Sequence, residues 1–486
     1  MLPNMHVKTL VGDALTPVRA YAALRAADPA GASFLLESVV GGERWGRYSI
    51  LGYRPKYEAT LERTGWKLRP GTGDPTGKKL PALESLLSDG GDPITSIGPL
   101  FRSDDRDPNV AHRFARSHVG YLAWDIVHLI DKVPPGSNDT WTKHFIPLAH
   151  FLGGSTIVVF DALAQTVLIA SEDAEDVERA YADLHRPVTL TDIGVPDRAR
   201  IPDAVATDLT DAEYKDRVLR AKEYIAAGDA FQVVLARTFS VPRAGRDPFD
   251  VYRAMRLVNP SPYMYFLDFP AARGERFSVA GASPETMTRL EDGVMTVRPL
   301  AGTRPRGKTP AEDLALEKEL LADPKERAEH VMLIDLVRND VGRVAKIGSV
   351  ELVRRMEIER YSHVMHIVSE VRGQIPPEVS PLEVARAAFP AGTLSGAPKV
   401  RAMQIIRELE ARPRGIYGGA IGYISGAGDL DLAIAIRTLV AKGDTFEVTA
   451  GAGVVEASDP QSEADETRNK ARSVLCAIEA VPQPPM

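Results

Sequence analysis

The stretch Arg298-Pro-Leu-Ala-Gly-Thr-Arg-Pro-Arg-Gly-Lys-Thr309 decides how the second half of this chain is read. From Gly302 onward it matches the phosphate-loop pattern G-x-x-x-x-G-K-[ST]. The apolar run Val294 to Leu300 precedes it. A helix start follows, with Thr309 as N-cap, Pro310 at the first helical position and Glu312 three residues after the cap. Further on, Val331-Met-Leu-Ile-Asp335 imitates the apolar strand ending in aspartate that completes a nucleotide triphosphatase.

Elementary chemistry argues against that reading. A phosphate loop works by wrapping successive backbone N–H groups around the anion. Pro305 removes one of those donors, and Arg304 and Arg306 add bulk where the backbone must come close. Across 328 to 345 the apolar residues fall at Ala328, Val331, Met332, Ile334, Val337, Val341 and Val344. That period is helical, so Asp335 does not end a buried strand.

Working outward, the 486 residues suggest about three domains, or two large ones. The 59 basic and 66 acidic residues leave a net charge of −7, without the basic excess that suggests nucleic-acid or membrane binding. Cys476 is the single cysteine, which excludes an internal disulfide framework and cysteine-rich zinc sites. Neither a signal-peptide core nor a bilayer-length apolar run is present, so a cytoplasmic location is expected.

Residues 1–185 read as short strands and helices broken by polar stretches such as Arg69-Pro-Gly-Thr-Gly-Asp-Pro75. Strand candidates there include Ser33 to Val40, Gly120 to Ala123 and Ser155 to Phe160. The polar, proline-punctuated stretch 186–208 is the linker candidate. In 209–486, Thr210 and Glu213 form a capping box, and the helix they open runs to Ala227. Phe231 to Leu235, Tyr263 to Asp268, Arg276 to Ala280, Gly418 to Ser425, Leu430 to Val440 and Thr445 to Gly451 read as strands. Helices are predicted near 311–321, 324–343, 381–389, 398–409 and 461–479. Strands and helices do not alternate strictly. This predicts an α+β fold with largely antiparallel sheet rather than a doubly wound one.

Glu326 and Glu329 on one predicted helix, and Glu463 and Glu466 on another, are each three apart and share a face. Lys470 lies four after Glu466 on that face. Two such helices could hold one magnesium ion between them. From spacing alone, two solvated acidic faces are the better reading.

Four further segments bear on that choice. They are Arg327-Ala-Glu-His-Val-Met-Leu-Ile-Asp-Leu-Val-Arg-Asn-Asp340, Glu359-Arg-Tyr-Ser-His-Val-Met-His366, Gly392-Thr-Leu-Ser-Gly-Ala-Pro-Lys399 and Asp465-Glu-Thr-Arg-Asn-Lys470. In order and content they resemble the signatures of the chorismate-utilising enzymes. Leu35-Leu-Glu-Ser38 and Asn259-Pro-Ser-Pro-Tyr-Met264 resemble a narrower group, the large subunits of anthranilate synthases. The resemblance implies a β-sandwich of largely antiparallel sheets with helices outside. It also implies an N-terminal regulatory domain in 1–185 and a chorismate-binding catalytic domain in 209–486.

Within that family two positions discriminate. Gln232 stands where the water-activating isochorismate and salicylate synthases carry a lysine. A lysine of lowered pKa can take a proton from water. An amide cannot, but it can hydrogen-bond ammonia, which is already nucleophilic. Ala301 stands where aminodeoxychorismate synthases carry a nucleophilic lysine, and alanine cannot form a covalent intermediate. The pair implies ammonia and chorismate in, anthranilate and pyruvate out. The rival readings are an aminodeoxyisochorismate synthase, an aminodeoxychorismate synthase, and a tryptophan-sensing homologue without catalysis.

The resemblance further implies roles. Glu329 and Glu466, with Glu326 and Glu463 nearby, would hold magnesium at the ring carboxylate of chorismate. Glu285 would protonate the departing C4 hydroxyl, for which it must stay protonated near neutral pH, as burial beside other carboxylates would favour. His366 would handle or orient the proton in pyruvate loss. Tyr417 and Arg437 would clamp the enolpyruvyl carboxylate, a task that suits arginine. Gly302, Thr303, Gly451 and Gly453 would bring backbone N–H groups to the substrate. Thr393, in a loop running into a helix, is placed for an anion, and Lys470 would face the ring carboxylate. Glu37, Ser38, Arg47, Pro262, Tyr263 and Met264 would form a feedback pocket for tryptophan. A glutaminase needs a nucleophilic cysteine with a histidine partner. Cys476 lies in the helical run Val474 to Glu479, so a separate glutaminase subunit is expected as the ammonia source.

Overall fold

The phosphate-loop look-alike is half strand. Leu300–Pro305 pairs antiparallel with Val364–Gln374 in the computed structural model. The following N–H groups are consumed by the chain's own acids: Gly307 donates to Asp313 at 2.9 Å and Lys308 to Glu312 at 2.8 Å. Thr309 caps the helix Pro310–Ala322 as expected. No backbone donor in this turn is left over for a phosphate at these two positions. Val331–Asp335 lies inside the helix Pro324–Gly342.

The structure describes residues 5–38, 47–84, 92–101, 114, 116–135, 146–270, 275–361, 364–410 and 412–484. Their strands form a 12-stranded and an 11-stranded sheet. Neighbouring strands in both run antiparallel. Between the sheets lies a core that includes Phe34, Val159, Leu267 and Val279 from the first and Tyr121, Leu152 and Ile421 from the second. Outside the first sheet pack the helices Pro17–Ala27, Ala174–Leu184, Pro248–Val258 and Pro460–Glu479. Outside the second sheet, and around the strand Gln232–Pro242, pack Asp211–Ala226, Pro324–Gly342, Pro381–Ala388 and Lys399–Leu409. The α+β sandwich with outer helices is therefore the architecture of this chain.

Both sheets run across the segment 186–208. Ser33–Glu37 pairs with Tyr263–Phe269, and His118–Leu122 pairs with Ala420–Ile424. The division between 1–185 and 209–486 is one of composition along the chain; in space the two stretches share both layers.

One expected strand is two. Leu430–Ile434 belongs to the 11-stranded sheet and Thr438–Lys442 to the 12-stranded one. The chain changes layers at Arg437, whose φ of 51° lies in the left-handed region. Residues on both sides are apolar and buried, so their pattern carried no mark of the break.

Candidate active site

The helices Pro324–Gly342 and Pro460–Glu479 flank a cavity of about 700 Å³. Glu326, Glu329, Glu463 and Glu466 all line it. Burial, reinforced by Glu326 and Glu466, holds the Glu329 carboxyl above the usual range, while Gln232 pulls it back. Burial and Glu466 raise Glu463 as well, against a hydrogen bond from Ser458. The helices thus gather four carboxylates whose charges oppose one another. They do not draw them together: among the described residues no group of three or more His, Cys, Asp or Glu stands ready to hold a metal. Glu326 is turned to Arg304 at 3.3 Å and Glu466 to Lys470 at 2.6 Å. Carboxylate oxygens are hard donors that fit a magnesium ion, and an ion bound by Glu326 or Glu466 would compete with those two basic side chains.

The acid lies deeper. Glu285 follows the strand Phe277–Ser283 and is buried, at 8 % exposure. Burial pushes its carboxyl up to about 7, although Thr393 donates to it at 3.1 Å and Lys470 lies near. The expectation that other carboxylates would raise it is corrected: desolvation alone does so, and its charged neighbour works the other way. Thr393 lines the cavity too, though not from a loop. It lies in the short helix Gly392–Ser395 and its hydroxyl is given to Glu285.

His366 projects from Val364–Gln374 into the same cavity. Its Nδ1 lies 3.1 Å from the Gly302 carbonyl and 3.0 Å from the Thr303 hydroxyl. A carbonyl only accepts, so Nδ1 carries the proton and Nε2 keeps its lone pair. Burial and Arg437 favour this neutral ring. Gly302 itself has a φ of 71°, and a Cβ there would lie 3.2 Å from Glu326. This is the one glycine of the site in the left-handed region, where a side chain would be strained.

Arg437 lines the cavity, and burial lowers its pKa. It makes no ion pair among the described residues, so a half-buried guanidinium waits for an anion. Tyr417, Gly451 and Gly453 form the adjoining wall. A Cβ at Gly451 would lie 2.7 Å from the Tyr417 hydroxyl, and one at Gly453 2.8 Å from the Gln232 amide. Gln232 opens the strand Gln232–Pro242 at 7 % exposure. Lys470 donates to the Gly451 carbonyl at 3.0 Å. Ala301 also lines the cavity, and Tyr361, which the sequence reading passed over inside its own motif, stands edge-on to His366 at 5.6 Å.

The tryptophan motif is spread over both faces of one sheet. Glu37 and Met264 are register partners on the helix-covered face. Glu37 is taken up by the Tyr252 hydroxyl at 2.6 Å and by Arg256 at 3.0 Å. Tyr263 points to the opposite face, to Thr286 at 2.8 Å and Asp431 at 2.9 Å. Pro262 lines the main cavity, and the Ser38 hydroxyl is buried without a partner among the described residues. Arg47 is held by Asp161 at 2.8 Å and is not brought to the others.

Comparison with known proteins decides the family. The model described as chorismate binding enzyme matches residues 92–476. The chain belongs to the chorismate-binding enzymes. Anthranilate synthase component 1 of Streptomyces coelicolor is 43% identical over 482 residues, 96% of this chain and 87% of its own. The namesake of Acetivibrio thermocellus is 42% identical over 92% of this chain and 90% of its own. These place the chain in the anthranilate synthase component 1 branch of the family. The crystal structure of anthranilate synthase component I from Streptococcus pneumoniae superimposes with a TM-score of 0.74 at 32% identity, over 96% of this chain and 98% of that one. Such wide coverage includes the shared sheets as well as the cavity. Among the described residues no helix is long and apolar enough to cross a membrane.

Proposed function

We propose that this chain makes anthranilate and pyruvate from chorismate and ammonia, through aminodeoxyisochorismate. The reading rests on one juxtaposition: Gln232, Ala301, a buried neutral-range acid at Glu285 and the unpaired Arg437 all face the same cavity. Arg437, beside Tyr417, takes the enolpyruvyl carboxylate. Gln232 hydrogen-bonds ammonia as it adds at C2 of the ring. The ring double bonds shift and the C4 hydroxyl leaves as water, taking the proton of Glu285. In the second step the C2 proton is removed and the C3–O bond breaks. Enolpyruvate departs, ketonises to pyruvate, and leaves an aromatic ring. The free Nε2 of His366 is the group suited to handle or orient that proton.

Enzymes of this family are generally magnesium-dependent. Glu329 and Glu466, supported by Glu326 and Glu463, would hold the ion, which supplies a Lewis acid for the ring carboxylate when bound. Ammonia would come from a separate glutaminase subunit. Cys476 cannot serve that purpose, being buried in the helix Pro460–Glu479 with its Sγ directed at the Arg198 carbonyl. Glu37, Ser38 and the segment Pro262–Met264 would receive tryptophan as a feedback inhibitor. The buried Ser38 hydroxyl, without a partner among the described residues, supports a polar ligand there. Arg47 would take part only by leaving Asp161.

Incubating the chain with chorismate, magnesium and ammonium salt should yield the fluorescence of anthranilate. A product that retains the enolpyruvyl group would instead identify an aminodeoxyisochorismate synthase. His366→Met should let the amino intermediate accumulate, seen by chromatography; anthranilate at the normal rate would make His366 structural. Tryptophan titrated calorimetrically should release or absorb heat with one-site stoichiometry. A flat titration removes the regulatory site.

A further inference from the structure

The segment that carries the acid is held at both ends by one turn. Strand Phe277–Ser283 stops just before Glu285. On the near side, the hydroxyl of Ser261, only 3 % exposed, lies 3.1 Å from the Ala282 carbonyl and 3.1 Å from that of Asn259, and shares its proton between them. Asn259 reaches the same carbonyl at 3.4 Å. On the far side, the Tyr263 hydroxyl lies 2.8 Å from that of Thr286 and donates to Asp431 at 2.9 Å. The peptide between is fixed as well. The Ala282 N–H donates to the Arg437 carbonyl at 3.2 Å, and the Ile434 N–H donates to the Glu285 carbonyl at 3.0 Å.

These bonds reach two functional groups at once. Ala282 precedes the acid by three residues, and its amide pins the backbone of Arg437 in the left-handed conformation that turns the guanidinium into the cavity. A single carbonyl, satisfied by Ser261 and Asn259, therefore stands between the turn and both the proton donor and the carboxylate clamp.

We infer that the turn 259–263 is the seat that positions Glu285 and Arg437, with Ser261 and Tyr263 as positioning residues whose hydroxyls are directed at the acid's own segment. The inference rests on the roles proposed above for Glu285 and Arg437. Removing the Ser261 hydroxyl leaves the buried Ala282 carbonyl only the long bond from Asn259, and removing the Tyr263 hydroxyl takes away the partner of the Thr286 hydroxyl. The loop then admits water, and the desolvation that keeps Glu285 protonated weakens. The groups facing Glu285 are Thr393 from the helix Gly392–Ser395, Lys470 from the C-terminal helix and Tyr361 from the strand connection. All three remain in the variants.

The test is the pH dependence of kcat for the full chain with free ammonia held at one saturating concentration at every pH, in the wild type, Ser261→Ala, Tyr263→Phe and Ser261→Thr, with circular dichroism to establish folding. The wild type should lose activity as pH rises through about 7. In Ser261→Ala and Tyr263→Phe that limb should move to lower pH by about one unit, so that the rate at pH 8 falls a further tenfold or so, and the KM for chorismate should rise. Ser261→Thr, which keeps the hydroxyl, should restore the wild-type limb. If Ser261→Ala does not fold, Tyr263→Phe decides alone. A limb present in the wild type and unmoved in the folded variants overturns the seat. A wild-type profile flat through pH 7 overturns the acid role of Glu285 itself, and the seat with it.

Discussion

Glu285→Gln is expected to stop turnover and to make the protein more stable. The amide cannot give a proton to the leaving hydroxyl, so the addition of ammonia should slow by about 10²- to 10⁴-fold, the range for a lost general acid. The stability change follows from the same burial. The carboxyl of Glu285 stands at about 7 in the fold against 4.5 in the unfolded chain. Between those values the native state binds the proton that the unfolded state has released. Stability therefore falls as pH climbs from 4.5 to 7, by about 3 kcal/mol at full extent. Glutamine has no such dependence. The variant should denature at higher urea than the wild type at pH 8 and at nearly the same urea at pH 4.5. A wild type equally stable at both values, relative to the variant, would mean that Glu285 is solvated and ionised.

Glu329→Gln and Glu466→Gln should each lower magnesium-dependent turnover by about 10²- to 10⁴-fold, the rate equivalent of several kcal/mol of charge stabilisation. The fold should survive, because Glu466 is exposed at 46% and neither side chain belongs to a core cluster. A second readout is independent of catalysis. Magnesium should raise the melting temperature of the wild type as any ligand of the native state does, and that rise should vanish in both variants. Retained stabilisation by magnesium in either variant would place the ion elsewhere. Glu466→Gln should also ease the repulsion that Glu466 exerts on Glu329.

Much of this site was legible in sequence because its chemistry lies in side chains grouped on short segments. Glu326, Glu329, Glu463 and Glu466 declared two helix faces by their spacing. The fold class followed from strands and helices that did not alternate. Other features left no local trace. The buried face of Pro324–Gly342 includes His330 and Asp340, polar residues that an apolar count passes over. Asp340 is neutralised by Lys399 at 2.8 Å and His330 meets Ser369 at 2.8 Å, partners remote in the chain. The helices Pro17–Ala27 and Pro248–Val258 begin at prolines capped by Thr16 and Asp247, signals that were present and unread. Strand Glu351–Arg360 scatters Leu352, Val353, Met356 and Ile358 among charged residues without strict alternation, and its pairing with Val364–Gln374 makes it sheet. The direction in which Arg47 points was set by Asp161, a choice no spacing encodes.

The two layers that pass through both halves of the chain have a cost in modularity. Tyr263–Phe269 is hydrogen-bonded on one side to Ser33–Glu37 and on the other to Phe277–Ser283, the strand that leads to the acid. Cut away the first 185 residues and that ribbon becomes a raw edge, apolar and open to any passing chain. The N-terminal half is therefore not a detachable cassette. Whatever binds to it pulls on the same cloth from which the catalytic pocket is cut.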